Sequence, residues 1–154
     1  MVQKRGAFLP LIQASATAII AAPAATVYDI IADYQSGHPR ILPPQYFGAL
    51  TVERGGRGAG TRIRFEMKAF GKINIAMADI TEPVPGRELR ETLASGIVTT
   101  FLVEPIDAAT SRVTIDTRYR SPGFRGFVES LIAPGFLRKV YAAELALLAQ
   151  EAAR

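Results

Sequence analysis

Residues 53–67 read ERGGRGAGTRIRFEM, with glycine at positions 55, 56, 58 and 60. Such a stretch has two physical readings. Backbone N–H groups converging on an anion make a phosphate cradle, whereas tolerance of positive φ makes a turn between strands. A nucleotide loop of the form G-x-x-x-x-G-K-[S/T] needs a lysine after its last glycine, and here Gly60 is followed by Thr61 and Arg62. The dinucleotide fingerprint G-x-G-x-x-G fails too, because Gly56, Gly58 and Gly60 are evenly spaced. Both motifs also require a helix directly afterwards. Instead Ile63, Phe65 and Met67 alternate with Arg62, Arg64, Glu66 and Lys68, the period of a half-buried strand. The loop is therefore read as a hairpin connection that binds no nucleotide.

Working outward, a series of strands surrounds this loop. Residues 46–54 precede it and 61–69 follow it. A turn at Phe70-Gly71 leads into 72–81, and Glu82-Pro83-Val84-Pro85-Gly86 interrupts before 87–93. Ser95-Gly96 turns into 97–104, and residues 105–111 form a loop before 112–119. Short connections rich in turn residues imply antiparallel neighbours. Upstream, residues 14–20 form a first strand. Pro23 then opens a helix carrying Val27, Ile30, Ile31 and Tyr34 at helical spacing. The prolines of residues 35–44 end that helix and leave room only for short turns. Downstream, Phe124, Phe127, Val128, Leu131 and Ile132 make an apolar helical stripe, continued by Leu137, Val140, Tyr141, Leu145 and Leu148. Pro134-Gly135 between them predicts a kink or break.

Composition narrows the chemistry. A chain of 154 residues, 49% hydrophobic and 21% charged, has the size and make-up of one domain with a substantial core. It contains no cysteine and a single histidine, His38, so disulfides, thiolate catalysis and any histidine-rich metal site are excluded. No metal and no cofactor are expected. The net charge is +4, with Arg54, Arg57, Arg62, Arg64, Lys68 and Lys72 around one hairpin. That cluster reads as a solvated outer sheet face, or as a surface for transient contact with an anionic membrane. Nucleic acid is not expected, because no stacking aromatics interleave with the arginines. The basic, alanine-rich start resembles a secretory signal, yet Gln13, Ser15 and Thr17 break its apolar run. Cleavage after Ala25 would delete the first strand and open a sheet edge. No other stretch is long and apolar enough to span a bilayer. The expectation is a cytoplasmic protein with an N-terminal arm (1–11) and a single domain (12–152).

The element order resembles the helix-grip fold of the START-like polyketide cyclase/dehydrase superfamily. The residues that carry the likeness are the strand and Ala22-Pro23 helix start of 14–33, His38-Pro39 with Leu42-Pro43, and Gly60-Thr61-Arg62 opening a strand. Val103-Glu104-Pro105, Ser111-Arg112-Val113-Thr114 and the apolar last helix complete it. The likeness spans roughly residues 12 to 152. It departs at Ala109-Thr110-Ser111, where relatives often carry Gly-Thr. It implies an α+β fold: a curved antiparallel sheet of about seven strands gripping a long C-terminal helix, with one or two short helices after the first strand. It also implies a cavity between sheet and helix that takes lipids, sterols, quinones, polyketides or other apolar molecules.

Within that frame, Phe65 and Met67 are expected to face the helix, with Ile73, Ile75 and Met77 doing so from the next strand. Tyr46, Leu89, Glu91, Phe101, Ile115, Thr117, Leu137 and Tyr141 complete the expected ligand-contacting set. Glu91, flanked on its face by Leu89 and Leu93, either lies buried with a partner or a raised pKa, or is turned outward by a register break. Asp79 carries the same ambiguity. His38, expected near the cavity mouth, is either a proton-transfer group or a hydrogen-bonded turn residue. Catalytic candidates are thus His38, Glu91 and Asp79. Two functions follow: a carrier or accessory protein binding an apolar molecule, or a cyclase, aromatase or dehydratase-type enzyme using the same cavity. Apolar walls favour the first; two inward polar groups within hydrogen-bond reach would favour the second.

Overall fold

The computed structural model describes residues 9–69, 71–120 and 123–154, the side chains of 123–132 excepted. In chain order the elements are β1 (Leu11–Ile20), α1 (Ala24–Ala32), α2 (Gly37–Ile41), β2 (Phe47–Arg54), β3 (Arg62–Ala69) and β4 (Lys72–Val84), followed by β5 (Glu88–Leu93), β6 (Val98–Asp107), β7 (Thr110–Arg120) and α3 (Gly123–Ala152). The strands form one seven-stranded antiparallel sheet in the order β1-β7-β6-β5-β4-β3-β2. Register shifts in β2, near the end of β4 and at Pro105 interrupt the ladders, and such bulges bend and twist a sheet. The curved sheet holds α3 on its inner face, where the helix packs on β1, β7, α1 and α2. This is the expected helix-grip arrangement.

The glycine loop joins β2 to β3, and the backbone donors of Gly56, Gly58, Ala59 and Gly60 are already engaged. Gly56 N–H reaches Thr61 Oγ1 at 3.0 Å and Ala59 N–H reaches Glu82 Oε1 at 2.6 Å. Gly58 and Gly60 N–H bond the carbonyls of Ala32 (2.9 Å) and Ile80 (3.1 Å). The one carboxylate that these donors meet is the chain's own Glu82, through Ala59, and its other oxygen accepts the Tyr28 hydroxyl at 2.6 Å. Gly58 needs its φ of +59°, and a Cβ there would stand 2.1 Å from Glu82 Oε1.

Several boundaries differ from the sequence expectation. β6 and β7 extend to Asp107 and from Thr110, so a two-residue connection replaces the longer loop. β4 runs on to Val84, with a register shift absorbing Pro83. The segment after α1 holds a five-residue helix, α2, with Pro39 in its first turn, where the missing N–H has no partner to lose. α3 does not break at Pro134. An interior proline costs about 3 kcal/mol, which the burial of Leu137, Val140, Tyr141, Leu145 and Leu148 offsets. The expected stripe from Phe124 to Ile132, Phe70 of the expected Phe70-Gly71 turn and residues 1–8 of the expected arm lie outside the described side chains.

The largest correction concerns β4. Ala69 pairs with Lys72, so Met67 opposes Asn74, Phe65 opposes Ala76 and Ile63 opposes Ala78. Opposed residues share a face. Inward positions therefore change from odd on β3 to even on β4. Ile73 and Ile75 point outward, 64% and 57% exposed, and Met77 lies on the same outer face opposite Arg64. Asp79 is outside as well, opposite Arg62, within 3.6 Å of Arg54 and 3.9 Å of Arg62. Ile75, Met77 and Asp79 are thus removed from the inner site.

Candidate functional site

A cavity of about 340 Å³ lies between the inner sheet face and α3. Its walls are mainly apolar: Phe47, Leu50, Phe65, Met67, Leu93, Phe136 and Leu137 all contribute. Exposure rises toward the hairpin ends, where Ala69, Asn74, Ile97 and Tyr119 stand, so the opening lies on that side. The opposite end is a buried polar floor of His38, Glu91, Thr99, Thr117, Tyr141 and Glu144.

The local sequence explains how His38 reaches this floor. α1 ends at Asp33, whose carboxylate accepts the N–H groups of Gln35, Ser36 and Gly37 and the Ser36 hydroxyl. These bonds, the Ser36 hydroxyl foremost, hold the Asp33 carboxyl below its usual pKa. The tight turn they make needs Gly37, because a Cβ there would stand 2.7 Å from the Ile30 carbonyl oxygen. His38 N–H then bonds Asp33 O at 2.7 Å, and its Nδ1 lies 2.7 Å from Ile31 O. A carbonyl only accepts, so Nδ1 carries the hydrogen and Nε2 of the neutral ring is left as an acceptor.

Nε2 faces Glu91 Oε1 across 3.5 Å. That same oxygen accepts the Tyr34 hydroxyl at 2.7 Å. Tyr34 stacks on the imidazole (centroids 4.3 Å apart, 19° between planes) and Phe101 meets it edge-on at 5.5 Å. Burial holds the His38 pKa below its ordinary value, against the opposing pull of Glu91 and of the Ile31 carbonyl. Burial and the nearby Glu91 charge push the Tyr34 hydroxyl well up. Glu144, on α3, is 2% exposed, and its Oε1 has no hydrogen-bond partner. Burial, then the Glu91 charge, raises its pKa well above the carboxylate range. Beside it, Tyr141 and Thr117 share a short hydroxyl contact, and Thr117 Oγ1 meets Thr99 Oγ1 at 2.7 Å.

Of the residues singled out from sequence, Phe65, Met67, Glu91, Thr117, Leu137, Tyr141 and His38 border the cavity. Glu91 faces inward, with Leu89 and Leu93, without the register break that would have turned it out. His38 sits at the closed end at 2% exposure, not at the mouth. Leu89, Phe101 and Ile115 are packed in the core behind the wall. Tyr46 lies to one side, edge-on to Phe136 at 5.6 Å. Sequence reasoning missed Tyr34's role and Glu144 altogether. Glu144 falls three, four and seven residues from Tyr141, Val140 and Leu137, on the buried stripe itself. A carboxylate at such a position is the signal that could have found it.

The match to known proteins agrees with this geometry. A family model described as polyketide cyclase / dehydrase and lipid transport matches residues 12–153. The chain belongs to this family. Among solved structures similar to this polyketide cyclase / dehydrase family member, KanY protein is 28% identical. Its TM-score is 0.81, with 94% of this chain and 99% of that chain covered. The Zhui aromatase/cyclase from Streptomyces sp. R1128 is 20% identical, with a TM-score of 0.70 and coverage of 94% and 95%. Norcoclaurine synthase from Thalictrum flavum, solved with dopamine and hydroxybenzaldehyde, is 19% identical, with a TM-score of 0.69 and coverage of 97% and 93%. The last two show the shared fold alone. No curated protein sequence matches the chain. Among the described residues of this family member, no helix is long and apolar enough to cross a membrane.

Proposed function

We propose that the cavity binds an apolar oxo compound and catalyses proton transfer on it, as in an aldol cyclisation followed by loss of water. The observation that carries this reading is the His38 Nε2 acceptor beside Glu91 at the floor of an apolar cavity. His38 and Glu91, both on the cavity wall with Nε2 and Oε1 3.5 Å apart, are the inward polar pair that favours an enzyme over a carrier. In this scheme His38 Nε2 takes a proton from carbon next to one carbonyl. The enolate carbon attacks a second carbonyl, forming one C–C bond, and that oxygen gains a proton. Loss of a further α-proton and of hydroxide as water leaves a conjugated ring, with no oxidant or reductant consumed. Glu91 supplies the counter-charge to the imidazolium, and Tyr34 fixes the carboxylate that does so. The description of the family, polyketide cyclase / dehydrase and lipid transport, supports this reaction class.

The test uses a phenyl-substituted δ-diketone that closes to a cyclohexenone, followed by enone absorbance. Wild-type turnover is expected, with His38→Gln slower by at least about 100-fold. Because catalysis needs the neutral ring, whose pKa burial lowers, the rate should persist as pH falls below the ordinary imidazole value of about 6.5. Tight binding of the diketone without turnover would instead support a carrier, which the apolar walls also suit.

A further inference from the structure

We propose that Glu144 acts in its acid form as the hydrogen-bond donor to a carbonyl oxygen at the deep end of the ligand. The cavity would then select neutral oxo compounds over carboxylates, phosphates and amines. This deepens the reading above by naming the ligand's polar group, and it rests on the cavity being a ligand site.

Three observations converge. The first is the orphaned oxygen: Glu144 borders the cavity, is 2% exposed, and its Oε1 has no partner. A buried carboxylate lacking donors is the costly form, whereas a carboxylic acid carries a proton that a ligand can accept. The second is the charge around it. The titratable groups facing Glu144 are Glu91 on β5, His38 on α2, Tyr34 ahead of α2, and Tyr141 one turn earlier on α3. Two carboxyl groups close together do not both ionise readily, and the Tyr34 hydroxyl is already committed to Glu91. The proton therefore belongs on Glu144. The third is what the wall lacks. No arginine or lysine is among the described cavity-lining residues, so an anionic head group would enter without a counter-charge. Among the described residues, moreover, no cluster of three or more ligating side chains could hold a metal to supply one.

The ligand chemistry follows from geometry. Two contacts tie Thr99, Thr117 and Tyr141 to one another, so most of their hydroxyl hydrogens are engaged, whereas Glu144 Oε1 has no partner at all. A ketone or quinone oxygen placed against it would complete the floor, with the apolar body lying along Phe65, Met67 and Leu137.

The experiment compares four probes sharing one apolar body: acetonaphthone, ethylnaphthalene, naphthoate and naphthylethylamine. Calorimetry on the full chain is expected to rank acetonaphthone tightest. Glu144→Ala should weaken it about 10-fold, the worth of one good hydrogen bond. Glu144→Gln, which retains a donor, should stay within about 3-fold of wild type. The carbonyl stretch of bound, carbon-13-labelled acetonaphthone should move to lower frequency in wild type and return in Glu144→Ala. Ketone binding should also weaken with rising pH in wild type and not in Glu144→Gln. Acetonaphthone binding no better than ethylnaphthalene, or unchanged in Glu144→Ala, would overturn the proposal. So would tighter binding of the amine, which would make the two carboxylates a cation site, or of naphthoate. These readouts are of binding and not of turnover. A positive result with an inactive protein would leave this inference standing and remove the catalytic one.

Discussion

Replacing Phe101 by alanine is expected to lower the unfolding free energy by about 3–5 kcal/mol. The ring is 2% exposed in the middle of β6, opposed to Leu89 on one side and Ile115 on the other, both fully buried. It also closes the edge of the His38 ring. Truncation leaves a hole where neighbours on a hydrogen-bonded sheet cannot close in, which is the costly case for a large-to-small change. Phe65→Ala should cost less. That ring is only partly buried and already borders the cavity, so its removal enlarges an existing space instead of opening a new one. Urea unfolding of the two variants makes the comparison directly. A greater loss for Phe65→Ala would contradict the assignment of Phe101 to the core and Phe65 to the cavity wall.

Glu144→Gln is expected to gain stability relative to wild type as pH rises above the ordinary glutamate value. The folded-state pKa of Glu144 is raised by burial and by Glu91, so the native protein holds a proton there that the unfolded chain has released. Stability then falls with increasing pH, from about 4.3 upward to the folded pKa, with a slope approaching about 1.4 kcal/mol per pH unit. Glutamine has the same shape and no proton to release, so the variant lacks that slope. His38 works in the opposite sense. Its lowered pKa means that stability is lost as pH falls through the ordinary imidazole value, and both proteins share this loss. Subtracting one pH–stability curve from the other isolates Glu144. A flat difference between pH 5 and 8 would mean that the carboxyl group ionises freely in the folded state.

The order of elements was legible because each is punctuated locally. Pro23 opens α1, the glycine loop separates β2 from β3, and the alternation of Ile63, Phe65 and Met67 marks an inner face. The failure at β4 was also local. Ala69 pairs with Lys72, and that pairing alone requires Asn74 and Ala76, not Ile73 and Ile75, to join Met67 and Phe65. Hydrophobicity pointed one way and register the other, and register won because the ladder fixes every side chain at once. Glu91 could be singled out from its leucine neighbours, but its partners could not. Tyr34 and His38 meet it only because Asp33 folds the chain into α2 and the sheet brings β5 alongside. Glu144 stands on the buried stripe of α3, where helical spacing marks the position as inward but a charged side chain adds nothing to the apolar pattern.

Six strands of the sheet, β2 to β7, each pair with their sequence neighbour, a meander whose ladders can form between adjacent segments. The ladder between β1 and β7 differs, since it joins Leu11 to Arg120 and closes the whole sheet-forming stretch into a ring. Contacts so distant along the chain are slow to form, although the entropy of closing such a ring grows only logarithmically with its length. β1 is also the strand on which α3 chiefly rests, and α3 is the wall that carries Leu137, Tyr141 and Glu144. The cavity thus has a birth order. A chain with its meander complete but its ends apart has a sheet without a chamber, and the polar floor comes into being only when the first strand finds the last.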